Sequence, residues 1–193
     1  IRSVVDSEFT DWFFLREIHE GNPDRMLNEE LITILSYILL NKANFEEVIG
    51  FYARQDRITC RLTNKKALND FLTEEIEEDE YKKEVFIRCI NSTEQLIIKF
   101  GSLFGQNPTK EIINDFLNVK SSKTFRRSLQ DFYIIWIILA NASDDSFKNK
   151  KDEILNDIRG LLITLRNAND EKVNDEYLKS FLKTLKQLSI KYI

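Results

Sequence analysis

An all-α fold, a single orthogonal bundle of about eight helices, is what this sequence predicts, and three observations carry the prediction. Five glycines and two prolines in 193 residues are too few to punctuate a sandwich or barrel of short strands. Apolar residues recur at helical spacing along most of the chain. Two runs, residues 31–40 and 131–140, are apolar nearly throughout, yet at ten residues each they fall well short of the roughly 20 that a membrane span needs. They read as central helices buried on all sides, and no membrane is expected as a partner. With 42% hydrophobic residues, 14 Phe and 2 Trp, the chain has enough apolar bulk for a substantial core.

Taken in order, residues 5–20 place Phe9, Trp12 and Phe13 at helical spacing, and Gly21 with Pro23 marks a stop. A second helix starts near Arg25 and runs into the first apolar stretch. Residues 48–62 are the exception: β-branched and aromatic residues alternate there, which predicts a small hairpin. Asn64 is the expected N-cap of a helix carrying Leu68, Phe71 and Leu72 on one face, and the acidic residues 74–80 read as a solvated turn. A long helix is expected from Glu80 to the Gly101–Gly105 pair, taken as its C-cap, ahead of Asn107-Pro108. A shorter helix covers 109–119. Ser121 or Ser122 is expected to cap a helix over 123–142, and Asp144 or Asp145 the helix holding Ile154, Ile158, Leu161 and Leu165. Asn174 is expected to cap the last helix. The simplest organisation is one helical domain over 1–193, with a two-lobed division near 105–108 as the alternative. The chain lacks an initiator Met and reads as part of a longer protein; Asp6, Glu8 and Asp11 stand where an export signal would be apolar.

The chemistry is sparse. With 28 basic and 32 acidic residues the net charge is -4, so any polyanion site must be local. Cys60 and Cys89 lack CxxC spacing and read as free thiols, which suits a reducing cytoplasm. His19 is the single histidine; beside Glu17 and Glu20 near a helix end it reads as a surface cation rather than a catalytic base. Neither HExxH nor a phosphate-cradling glycine loop is present, and no cofactor is expected. Pro23-Asp24 with Glu80-Tyr81-Lys82 matches a PD…ExK nuclease pattern only in letters, because that site needs adjoining strands. Glu29, Glu30 and Asp131 are the carboxylates an all-α enzyme would use, and no partner groups accompany them in the sequence.

The best local signal for a polyanion is KSSKTFRR, in which Lys120, Lys123, Arg126 and Arg127 gather at an expected helix start. Phe125 is then either a stacking platform for a base or a core residue beneath a solvated first turn, and both readings stay open. Lys179, Lys183, Lys186 and Lys191 read as the outer face of the last helix.

The order of features beginning with RM-x-x-E-E-L (Arg25, Met26, Glu29, Glu30, Leu31) resembles a known family. An apolar helix follows, then Lys66-x-Leu68-x-x-Phe71-Leu72, a long amphipathic helix and an aromatic Asp131-Phe132-Tyr133 helix. This pattern, over about residues 20–140, is similar to the helical region of GmrSD-type bacterial restriction factors that act against modified phage DNA. In that family a ParB-like nucleotide-hydrolysing domain with an Asp-Gly-Gln motif precedes the helical region, and many members end in an HNH nuclease. The chain has neither the Asp-Gly-Gln motif nor the HNH histidines, so neither activity carries over. The resemblance implies a non-catalytic helical domain that positions catalytic domains, contacts DNA or partner subunits, or forms a homodimer. Within it Arg25 and Glu30 are the motif residues, with a helix-start ion pair as their structural role. The alternative is an independent helical interaction or oligomerisation domain without nucleic acid.

Overall fold

The computed structural model describes residues 1–5, 12–13, 17–19, 22–23 and 25–193, and the side chains of Arg2 and of residues 17–27 lie outside the described set. The fold is mainly α with small antiparallel strand pairs. Its elements are α1 (Arg2–Val5), β1 (Glu17–His19), β2 (Asn22–Pro23), α2 (Arg25–Leu40), β3 (Ile49–Ala53), β4 (Ile58–Leu62) and α3 (Lys65–Asp70). There follow α4 (Ile76–Glu78), α5 (Glu80–Ser102), α6 (Lys110–Leu117), α7 (Leu129–Leu139), α8 (Asp144–Asn149), α9 (Lys151–Arg166) and α10 (Asp175–Lys191).

The two apolar runs form the centre. In α7 every residue from Asp131 to Leu139 is buried, and α2 packs against both α5 and α7. Burial of each large apolar side chain stabilises by about 1.5–3 kcal/mol, which is why these runs are helices of the interior. Polar side chains carried inward find partners there: Ser36 donates to the Ile32 carbonyl at 2.8 Å and shares a 3.0 Å hydrogen bond with Thr93 of α5. Helices on both sides of 105–108 contribute to one buried cluster reaching from Val4 to Tyr192. Among the described residues no helix is long and apolar enough to cross a membrane.

Several sequence expectations hold at atomic detail. Asn64 Oδ1 accepts from Ala67 N at 3.0 Å and caps α3, and Asn174 Oδ1 accepts from Tyr177 N at 2.9 Å and caps α10. The hairpin over 48–62 is β3 paired with β4, Ile49 opposite Leu62 and Ala53 opposite Ile58. Lys179, Lys183, Lys186 and Lys191 are exposed on α10, where Lys186 pairs with Glu46 and Lys191 with Glu153 and Asp157. Cys60 and Cys89 are free thiols. The acidic stretch is more regular than a turn: a wide π-helical turn over Phe71–Glu75 leads into α4, and Asp79 then caps α5.

Other expectations are corrected. The helix over 5–20 is not formed by the described residues, because Trp12 and Phe13 lie in a 3₁₀ turn and Glu17–His19 is a strand, so His19 does not close a helix. Tertiary docking overrides the helical pattern: the Phe13 ring centre lies 4.6 Å from that of Phe132, Trp12 lies beside Phe100, and the carbonyls of both residues accept from Arg127. The helix expected over 123–142 begins only at Leu129, where Ser128 and Asp131 form a reciprocal capping box. Asp144 and Asp145 open the short α8, capped by Ser143, and the helix holding Ile154 to Leu165 starts separately at Lys151. Gly101 is not a C-cap. It sits inside α5, where a Cβ would come within 2.5 Å of the Trp12 indole, so the close approach requires glycine. Gly105, at φ +118°, is the residue that takes the backbone beyond the helix.

Candidate functional site: the 118–128 loop and the hairpin cleft

The KSSKTFRR segment is a loop closed by Asn118. The Asn118 side chain donates to the Ser122 carbonyl at 2.9 Å and accepts from Ser122 N at 2.8 Å, while Ser121 takes the left-handed region at φ 51°. A second loop uses the same device. Asn167, left-handed at φ 49°, donates to the Glu171 carbonyl and accepts from Glu171 N, both at 2.8 Å. Lys120 reaches Asp170 at 3.8 Å and links the two loops. Beside them lies a hollow of about 200 Å³ bordered by Phe125, Arg126 and Arg166.

The four cations of the segment do not act together. Lys123 and Arg126 are exposed, and among the described residues neither pairs with a carboxylate. Arg127 turns inward. Its guanidinium donates to Asn114 Oδ1 at 2.7 Å and to the carbonyls of Trp12, Phe13 and Lys110 at 2.7, 2.8 and 3.0 Å. Burial pulls its pKa down to about 10, so it stays protonated at neutral pH. Arg127 is therefore the tie between the N-terminal segment, α6 and the start of α7, and Phe125 is half-buried against the core.

The start of α7 also holds a buried ion pair that the motifs did not single out. Arg166 Nη2 lies 2.6 Å from each carboxylate oxygen of Asp131, with Nε at 3.1 Å from Oδ1, and Asp131 is 0% exposed. Burial pushes the Asp131 carboxyl above its ordinary range, while Arg166 and the Ser128 N–H act in the opposite sense. The readable signal was Ser-x-x-Asp over 128–131, a capping box ahead of an apolar run.

On the other side of this helix start, a cleft of about 740 Å³ opens between the β3–β4 hairpin, α2 and α7. Glu30 lies at its edge, with Lys65 Nζ 3.7 Å away, and both are largely exposed. The side chains of Arg25 and His19 lie outside the described residues, as does Asp24. Glu80, Tyr81 and Lys82 form the first turn of α5. Within the cleft, the Arg61 guanidinium sits over the Tyr52 ring at 4.8 Å, and Gln130 Oε1 accepts from Cys60 N at 3.4 Å. Tyr133 is 4% exposed, lines the same cleft, and its hydroxyl makes no hydrogen bond among the described residues. Burial raises both the Tyr133 hydroxyl and the Cys60 thiol, so both are neutral at pH 7. Among the described residues no group of three or more His, Cys, Asp or Glu is placed to hold a metal ion.

Comparison of the chain with family models, with curated proteins and with solved structures finds no match.

Proposed function

We propose that the chain is a non-catalytic helical module of a GmrSD-like anti-phage restriction system, contacting DNA through the 120–126 loop while flanking catalytic domains or partner subunits carry the chemistry. The RM-x-x-E-E-L opening and the order of helices behind it support the family part of this reading. The observation that carries the DNA part is the exposure of Lys123 and Arg126 on a loop braced by Asn118 and Arg127. Cations held on a fixed loop meet a phosphate backbone without first losing an internal partner. A cytoplasmic location belongs to this reading and suits the two free thiols.

The test is fluorescence anisotropy of a labelled duplex between about 50 and 200 mM salt, with the wild type and a Lys123→Ala/Arg126→Ala variant. Affinity should fall as salt rises. The variant should bind more weakly and lose about two units of the log–log salt slope, one for each phosphate contact removed. An unchanged slope in the variant removes these two residues from the interface.

A second reading, an oligomerisation domain without nucleic acid, is favoured by Ile87 and Ile98, which stand exposed on α5 about three turns apart. A stable dimer by light scattering, broken by Ile87→Glu/Ile98→Glu and lacking DNA affinity at low salt, would select it.

A further inference from the structure

We propose that the cleft between the β3–β4 hairpin and the start of α7 is a binding site for a small phosphorylated ligand of mononucleotide size, held by Arg61, Lys65 and the Tyr133 hydroxyl. The proposal is independent of the DNA reading above and rests on different residues. Three observations point to an anion. Arg61 is held against Tyr52 rather than against a carboxylate, so its fork of donors stays available. Lys65 is only loosely engaged with Glu30 at 3.7 Å and is free to turn toward a stronger negative charge. Tyr133, 4% exposed, adds a hydroxyl to the lining of the cleft with no internal partner among the described residues. A phenol kept neutral by burial of its ring is a donor, and its hydroxyl is open to the cleft, where a ligand oxygen can accept from it.

Size narrows the class. A free phosphate would leave most of about 740 Å³ unfilled, and this open cleft is large enough to admit a ligand of nucleotide size. Tyr52, at the rim and 37% exposed, adds an aromatic surface for a planar group. Its position depends on Gly50, since a Cβ there would lie 2.7 Å from the Tyr52 hydroxyl. Gly50 and Tyr52 share one face of the hairpin with Arg61, which is paired with Gly50 across the strands. The hairpin therefore sets the Tyr52–Arg61 wall of the cleft as a unit.

The experiment is titration calorimetry on the whole chain with AMP, adenosine, inorganic phosphate and citrate as probes. AMP should bind, inorganic phosphate more weakly, and adenosine and citrate not measurably. Tyr133→Phe removes only the unpartnered hydroxyl, so it should leave the unfolding midpoint unchanged and weaken AMP about tenfold. Arg61→Ala should weaken AMP by at least about tenfold, as befits a charge-assisted contact. Lys123→Ala/Arg126→Ala should bind AMP as the wild type does, which separates this site from the DNA surface. The proposal is overturned if neither AMP nor phosphate binds at millimolar concentration, if adenosine or citrate binds as tightly as AMP, or if Tyr133→Phe and Arg61→Ala bind AMP unchanged.

Discussion

At the scale of single residues, Arg126 and Arg127 are neighbours of one chemical type with opposite roles. Arg127 satisfies backbone carbonyls of two segments from within the fold. Replacing it by Ala strands acceptors in a water-poor setting, so Arg127→Ala should cost about 2–4 kcal/mol by urea denaturation. The Lys123→Ala/Arg126→Ala variant should stay within about 0.5 kcal/mol of wild type. Equal stability of the two variants would overturn this division. The Asp131–Arg166 pair allows a second test. Arg166→Met removes the cation that lowers the Asp131 carboxyl while leaving its burial in place, and breaking such a pair costs about 3–5 kcal/mol. Without Arg166 the folded pKa of Asp131 lies further above its unfolded value. A carboxyl raised in this way favours folding below the unfolded pKa and loses that advantage as pH rises through the folded one. Relative to wild type, the variant should thus be less destabilised at pH about 5 than at pH about 8. A deficit that is independent of pH would mean that Asp131 is not the group responding. These roles were only half legible in the sequence: KSSKTFRR marked where the cations lie, but which of them faces inward is decided by carbonyls more than a hundred residues away.

At the scale of elements, α5 and α9 each carry a glycine within the helix, and their neighbourhoods predict opposite outcomes. A Cβ at Gly101 meets the Trp12 ring at 2.5 and 3.0 Å and Pro108 at 3.1 Å, whereas at Gly160 nothing lies within 4 Å. Gly101→Ala should therefore destabilise by about 1–3 kcal/mol through overpacking. Gly160→Ala should stabilise by about 0.5–1 kcal/mol, since alanine loses less backbone entropy in a helix. Thermal melts of the two variants check both signs, and stabilisation by Gly101→Ala would refute the close packing of Trp12 on α5. Helices with an uninterrupted apolar period and a side-chain cap, such as α3 with Asn64 and α10 with Asn174, were legible because the signals that form them are local. Residues 12–13 and the start of α7 were not. Trp12 and Phe13 follow helical spacing, but their rings and carbonyls are claimed by α5, α7 and Arg127. The Ser128–Asp131 capping box was readable, yet the serines and basic residues just ahead of it offered a competing start. The cleft followed the same rule: Arg61 and Tyr133 lie 72 positions apart by residue number, and only the docking of the hairpin on α7 brings them together.

At the scale of the whole molecule, the buried and paired titratable groups set the pH range over which the fold is stable. On the alkaline side, the hydrogen bonds Lys191 donates to Asp157 and then to Glu153 raise Lys191, and burial followed by Asp157 raises Tyr192. Burial likewise raises Tyr37, Tyr133 and Tyr177. Groups raised in the folded state contribute stability that is complete below their unfolded values, about 10 for Tyr and Lys, and that is lost as pH rises through the folded values. On the acid side the sign reverses. The Lys99 hydrogen bond lowers Asp144, and hydrogen bonds from its own backbone N–H and from Thr109 lower Glu111, so their contribution is present above about pH 4 and lost as pH falls. Burial also raises the Cys60 thiol, whose contribution is lost above its unfolded value of about 8.5, so the unfolding temperature should change little from about pH 6 to 8 and fall above about pH 9. Tyr192 is where this matters most for the architecture, because its carbonyl accepts from Ser143 N at 2.8 Å and its hydroxyl donates to Asp157. It thereby joins α9 and the end of α10 to the segment that follows α7. Tyr192→Phe should lower the unfolding temperature at neutral pH and make the alkaline fall shallower, since the variant has no phenol to ionise at that junction. An alkaline limb as steep in Tyr192→Phe as in wild type would assign the loss to Cys60, the other tyrosines and Lys191 instead.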